Sequence, residues 1–160
     1  MDTKEGIKVR GMFRLQLTED DKVIGDSGWR KNAITNAGFL KYLSFIFAQS
    51  AGSLQISHAA LGTGAAPGAG DTLLAGEVTH NASGRDAVTA TTSSDSKAAR
   101  YTGTFASANS HNTTTLNISN IGLFQQSNTN TASIFAGASY NSSSWATNQS
   151  VNYTYDISFS

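Results

Sequence analysis

The chain contains no cysteine, which excludes a disulfide framework, a thiolate nucleophile and a Cys-ligated zinc. Charge is scarce as well: Lys, Arg, Asp and Glu make up 14% of the 160 residues, against roughly one quarter in ordinary soluble domains. Eleven basic residues balance eleven acidic ones, and without a basic excess a grip on nucleic acid by counterion release is not expected. The longest apolar stretch, Phe39 to Ala48, is interrupted by Lys41 and Ser44 and falls far short of the ~20 residues of a membrane span. The first ten residues are charged and lack an apolar h-region, so no signal peptide is visible and the product reads most simply as soluble and cytoplasmic.

Polarity is supplied mainly by neutral groups, since Ser, Thr and Asn account for 51 residues. Leu, Ile, Val and Phe total 32, a fraction at the edge of the disordered range, but the high net charge that accompanies disorder is missing. One ordered domain spanning 1–160 with a modest core is expected. Fourteen of the twenty-two charges fall in residues 1–50, seven in 51–100, and one, Asp156, after residue 100. The chain thus divides into a charged arm, 1–31, and a nearly neutral remainder, 32–160.

Residues Ile7, Val9, Phe13, Leu15 and Leu17 alternate with polar neighbours, which predicts a half-buried strand. With a turn at Thr18–Lys22 and a return strand from Val23, residues 7–30 read as a hairpin. Thr35 or Asn36 can cap a helix over about 36–48 that is apolar almost all round and should be buried on more than one side. A short strand follows at 54–61, then a Gly/Ala loop from Gly62 to Gly70 read as a flexible connector. Asp71–Ala75 could form one helical turn. Further strand runs are predicted at 77–80, 86–92, 98–107, 114–125, 132–140 and 150–159, separated by turns that include Asn141–Ser144. Strands at this spacing without intervening helices indicate an antiparallel β-sandwich of jelly-roll type. In the last run Val151, Tyr153, Tyr155, Ile157 and Phe159 alternate with polar residues, marking a central core strand.

Chemical motifs are weak. The Gly62–Gly70 segment lacks the Gly-Lys-Ser/Thr ending of a phosphate loop. His58, His80 and His111 have no metal-ligand spacing, so a metal site would need the fold to gather them with Asp71 or Asp86. No serine sits in a Gly-x-Ser-x-Gly elbow. Six Asn-x-Ser/Thr triplets read as Asn-rich turns rather than glycan acceptors. Trp29 and Trp145 either cap the core or stack on a sugar or partner. No catalytic, metal or cofactor residue is assigned.

Asn32-Ala-Ile-Thr-Asn36-Ala-Gly38 between a hairpin and an apolar helix, Ala60-Leu-Gly-Thr-Gly64 followed by Asp71-Thr-Leu-Leu74, Ile121-Gly-Leu-Phe124 and the closing Val-x-Tyr-x-Tyr-x-Ile-x-Phe strand together resemble the small virion proteins of tailed bacteriophages. The resemblance covers most of residues 7–160 and carries no catalytic residues. It implies a virion part with a jelly-roll-like β-sandwich, made in the host cytoplasm; with the small size, the single domain and the absence of catalytic motifs, the leading expectation is a non-enzymatic capsid decoration or cement protein that binds the major capsid protein lattice as a homo-oligomer, expected as a trimer. A tail-fibre, adaptor or baseplate component is the alternative, and a carbohydrate-binding module using Trp145 and the 140–148 loop a further one. Because the charged arm differs so sharply from the neutral remainder, Lys4, Lys8, Arg10, Arg14, Trp29, Arg30 and Lys31 are the expected partner contacts. Deleting residues 1–10 should then abolish binding without unfolding the sandwich.

Overall fold

The computed structural model describes residues 8–40, 55–79, 85–93, 98–109, 111–129, 131 and 134–159. Strand β1 (Val9–Glu19) and β2 (Lys22–Asp26) form the expected hairpin. Its turn is tighter than composition suggested. Asp20 and Asp21 have φ of 47° and 61°, the two left-handed residues of a type I′ turn whose twist matches the strands it joins. The short strands β3 (Arg30–Lys31) and β4 (Ala33–Ile34) come next, then β5 (His58–Gly62), β6 (Asp86–Ala87), β7 (Thr89–Ser93), β8 (Ala98–Phe105), β9 (Leu116–Phe124), β10 (Ile134–Trp145) and β11 (Ser150–Phe159). They make two antiparallel sheets, one ordered β2-β1-β11-β8-β7 with β3 also against β1, the other β4-β10-β9-β5-β6. The protein is mainly β, and the arrangement is consistent with the expected sandwich.

Period-2 alternation explains the packing. Phe13 and Leu15 of β1, Phe105 of β8 and Tyr153, Tyr155 and Ile157 of β11 point inward and are buried, as are Ile118, Ile121, Leu123, Ala136 and Trp145 of the second sheet. Phe13 stacks on Tyr155 with ring centroids 6.0 Å apart, and Phe105 meets Tyr153 at 5.2 Å and Trp145 at 6.4 Å. The central position of β11, between β1 and β8, matches the expectation for the last run.

Two corners join the sheets. β3 pairs with β1 and, one residue later, β4 pairs with β10. Asn32 makes this turn, its backbone N–H donating to Gly11 O and its amide to the Tyr155 hydroxyl. A Cβ on Gly11 would collide with that amide. On the far side β6 pairs with β5, β7 pairs with β8, and Val88 between them donates to Ser57 O.

The second sheet is covered on its outer face too, where Ala60, Leu74, Phe124 and Ile134 form a separate cluster. The Gly62–Gly70 loop belongs to this cover and is not a flexible connector. The Asn120 amide donates to Ala65 O and Ala75 O, Ser119 Oγ donates to Gly64 O, and Pro67 packs where a Cβ on Gly137 would sit. Asp71–Ala75 is not helical, and of 77–79 only Glu77 makes a bridge, to Gly62. Asn141–Ser144 is not a turn: it lies within β10, where a register shift spans Ser139 to Ser143. Residues 36–40 are helical and begin the expected helix, with Thr35 as the cap. Its hydroxyl accepts from Gly38 N at 3.0 Å, and Phe39 N bonds to Thr35 O. Phe39 and Leu40 are exposed, against the expectation of burial on several sides. Residues 41–48 of the expected helix lie outside the described residues.

Candidate protein interface

The outward-facing positions of the six-stranded sheet bring the N-terminal cations together. Met12 stands opposite Lys31 on one side and Asp156 on the other, and Asp156 stands opposite Arg100. Arg10 and Arg14 flank Met12 on the same face by alternation, and Lys8 continues the pattern just before β1. Lys8, Arg10, Arg14, Lys31 and Arg100 therefore share a face with, among the described residues, two carboxylates, Asp26 and Asp156. Both carboxylates are engaged. Arg14 donates to Asp26 through both Nε and a terminal nitrogen, Gln16 adds a third donor, and these bonds, with Arg14's the largest cause, hold the Asp26 carboxyl well below the usual carboxylate range. Arg100 grips Asp156 with two bonds of 2.8 Å. Among the described residues no carboxylate lies within ion-pair distance of Lys8, Arg10 or Lys31.

Trp29 is delivered to this face by a short, well-tied turn. Asp26 Oδ1 accepts from Gly28 N at 2.8 Å, and Gly28 adopts φ of 64°, a left-handed conformation that glycine takes without strain. Ser27 exchanges bonds with Leu15, its N–H donating to Leu15 O and its hydroxyl accepting from Leu15 N. The chain then swings back so that the Trp29 ring lies 5.9 Å from the Arg100 guanidinium carbon, within reach of a cation–π contact. Trp29 remains 43% exposed. An exposed tryptophan braced by arginine is the composition of an interface hot spot. Diagonal neighbours on one sheet face are about 7–8 Å apart, inside the ~8 Å screening length at physiological salt. Cations on this face that have no carboxylate partner among the described residues are therefore close enough to repel one another.

Of the expected contacts, Lys8, Arg10, Arg14, Trp29 and Lys31 share this face, whereas Arg30, opposite Phe13, points the other way. Arg30 donates to Ser27 O and borders a cleft of about 120 Å³ over Leu15, Leu17, Ile118 and Val151. That volume is below the ~300 Å³ at which small-molecule sites begin. Lys4 lies outside the described residues. The proposed deletion of residues 1–10 is corrected by the pairing of Val9 and Arg10 with Phe159 and Ser158: truncation there removes rungs of the central sheet, so only side-chain changes isolate binding. The alternation of β1 made its cations legible. Asp26, Arg100 and Asp156 were missed because their partners are set by strand register, although a lone charge on the solvent face of β11 was a signal that Asp156 has a partner.

Other candidate chemistry resolves into structure. Trp145 is 1% exposed, its indole N–H donating to Gln149 O, so it cannot stack on a sugar. His58 and His111 do approach Asp86, but among the described residues no group of three or more His, Cys, Asp or Glu is placed to hold a metal. His80 lies outside the described residues. Asp86 accepts from the Tyr153 hydroxyl at 2.9 Å, with His111 Nε2 4.0 Å away. Burial raises the Asp86 carboxyl and lowers both imidazoles. Ser57 Oγ is 2.8 Å from His58 Nδ1 and lies 2.9 Å from Gln125 O, to which its hydroxyl donates. Asp71 is used by its own loop, accepting from Gly68 N. A shallow trough of about 400 Å³ beside Gly76–Thr79 is lined chiefly by threonines, and the Glu77 carboxylate there is held by Arg85.

Comparison with protein-family models, with curated proteins and with solved structures finds no match.

Proposed function

We propose that the chain is a non-enzymatic structural protein of a tailed-bacteriophage virion, a capsid decoration protein of jelly-roll type that docks its cationic face onto an acidic surface of the major capsid protein lattice. The observation that carries the reading is the gathering of Lys8, Arg10, Lys31, Trp29 and Arg100 on one exposed sheet face. A built face of this kind, with no described cavity that converges titratable groups, suits recognition of a protein surface better than turnover of a small substrate. The residues behind the resemblance support it as fold determinants: Asn32 forms a corner, Thr35 and Gly38 open the helix, Gly62 sits under the Asn120 side chain and Gly64 against Ala75. The neutral Ser/Thr/Asn surface elsewhere adds little like-charge repulsion when many copies lie side by side.

The test mixes purified chain with particles assembled without it and sediments the mixture. Wild-type chain should co-sediment, with occupancy falling as salt rises. The combined Lys8→Glu, Arg10→Glu and Lys31→Glu variant should bind at least about tenfold more weakly. Full occupancy by that variant would remove the face from the assignment. Antibody labelling of the tail in place of the head would move the protein to the tail-fibre or baseplate alternative.

A further inference from the structure

We infer that two copies of this chain pair edge to edge through β7, antiparallel about a two-fold axis at Thr91, so that the six-stranded sheet continues across both. β7 ends its sheet, and among the described residues no backbone hydrogen bond other than the β8 ladder reaches Thr89–Ser93. Thr89, Ala90, Thr91 and Thr92 are all exposed. Since neighbouring strand positions face opposite sides, the strand overhangs the second sheet and presents both faces and its edge to solvent.

Soluble proteins blunt such edges with lysine, proline, bulges or short length. The other strands follow that rule. β2 carries Lys22 and Asp26 at its ends and a register shift against β1, while β4 and β6 are two residues long. β7, Thr-Ala-Thr-Thr-Ser, pairs with β8 in unbroken register and has none of these devices.

The same features select a second copy as the occupant. About Thr91 the strand is its own complement: Thr91 faces Thr91, Ala90 faces Thr92 and Thr89 faces Ser93, with no charge opposing a like charge and a threonine pair at the centre. The cationic face offers no such self-pairing. The Arg100 residues of the two copies would lie about 14 Å apart, three strand spacings, beyond the ~8 Å screening length, each held by its own Asp156. Head-to-tail pairing of β7 with β2 meets the charges and bulge of β2, which disfavours an open chain or a ring. Five residues make a contact about 17 Å long, smaller than a standard interface of ~1,200 Å². The dimer should therefore be weak in dilute solution, on the order of 0.1 mM, and consolidated where copies are held side by side.

The absence of cysteine gives a clean test. In Thr91→Cys the two thiols meet at the axis, whereas in Thr89→Cys they stand about 13 Å apart. Oxidation of the full chain with diamide should cross-link Thr91→Cys at least about tenfold faster than Thr89→Cys. Sedimentation of wild-type chain up to millimolar concentration should show monomer and dimer, and Thr91→Lys, with an unchanged circular dichroism spectrum and melting temperature, should be monomeric. Equal cross-linking of the two cysteine variants, wild-type chain that stays monomeric, or a trimer that Thr91→Lys leaves intact would each overturn the pairing. None of these results bears on binding by the cationic face, which is tested separately on particles.

Discussion

Arg85→Ala should be among the most damaging single substitutions in this protein. The side chains of Arg85 and Glu77 are both inaccessible to solvent, and Arg85 donates to Glu77 Oε1 at 2.7 Å and Oε2 at 3.0 Å. The same guanidinium donates to Gln126 O and Thr131 O and lies 3.4 Å from the centre of the Phe124 ring. One residue thus ties the cover loop at Glu77, the end of β9 and the stretch before β10. Truncation removes the guanidinium from the buried Glu77 carboxylate, and breaking a buried ion pair costs about 3–5 kcal/mol, a large share of the 5–15 kcal/mol that holds a typical domain folded. At about 2–4 °C per kcal/mol for a chain of this size, the melting temperature should fall by about 6–20 °C. Thermal unfolding followed by circular dichroism, with urea titration as a second measure, reads this directly. The companion variant Arg85→Met with Glu77→Leu removes both charges and should recover at least half of the loss, because an apolar pair avoids the desolvation penalty. A cost below about 1 kcal/mol for Arg85→Ala, or a double variant as unstable as the single one, would refute the reasoning.

Other substitutions probe separate parts of the fold. In Gly38→Ala the new Cβ would lie 2.0 Å from Phe135 O, a backbone atom that cannot swing aside, so about 1–3 kcal/mol of stability should be lost in urea unfolding; a neutral result would mean that the helix does not start against β10. Thr35→Val removes the cap and the hydroxyl bonds to Ile134 O and Phe135 O, and a drop of about 1–2 kcal/mol is expected by the same assay. Trp29→Ala should change stability by less than about 1 kcal/mol yet weaken particle binding severalfold. Acid should destabilise the chain through His58 and His111. Burial lowers both below 6.5, so their contribution is full above pH 6.5 and is lost as pH falls toward the folded-state values. Asp86, raised above 3.8 by burial, acts in the opposite sense: its contribution is full below pH 3.8 and is lost as pH rises through its folded value. The melting temperature should decline from pH 7 to about pH 5, and His111→Gln should flatten that decline; a rise over the same interval would contradict the assignment.

What could be read from the sequence followed from whether a signal was local. β11 announced itself because its solvent-facing residues are polar and its core-facing ones large, and β1 did so for the same reason. Asn141–Ser144 misled because Asn and Ser cluster in turns, yet Asn141 and Ser142 fall in a register shift within β10, Ser143 and Ser144 pair with Ile118 and Asn117, and the strand is anchored by buried Trp145. The Gly62–Gly70 loop looked slack because its restraint comes from Ser119 and Asn120, about fifty residues away. The cationic face was half legible for the same reason. Its cations lie close together in sequence, whereas the pairing of Arg100 with Asp156 and the return of Trp29 over that pair depend on strand register and on one left-handed glycine.

The most direct measurement is zero-length carbodiimide cross-linking of purified virions, which joins lysine amines to carboxylates in contact with them, followed by mass spectrometry. A decoration protein docked through this face should be present in purified particles and should give cross-links from Lys8 and Lys31 to acidic residues of the major capsid protein. Absence of the chain from purified particles, or cross-links to the capsid that bypass both lysines, would contradict the assignment.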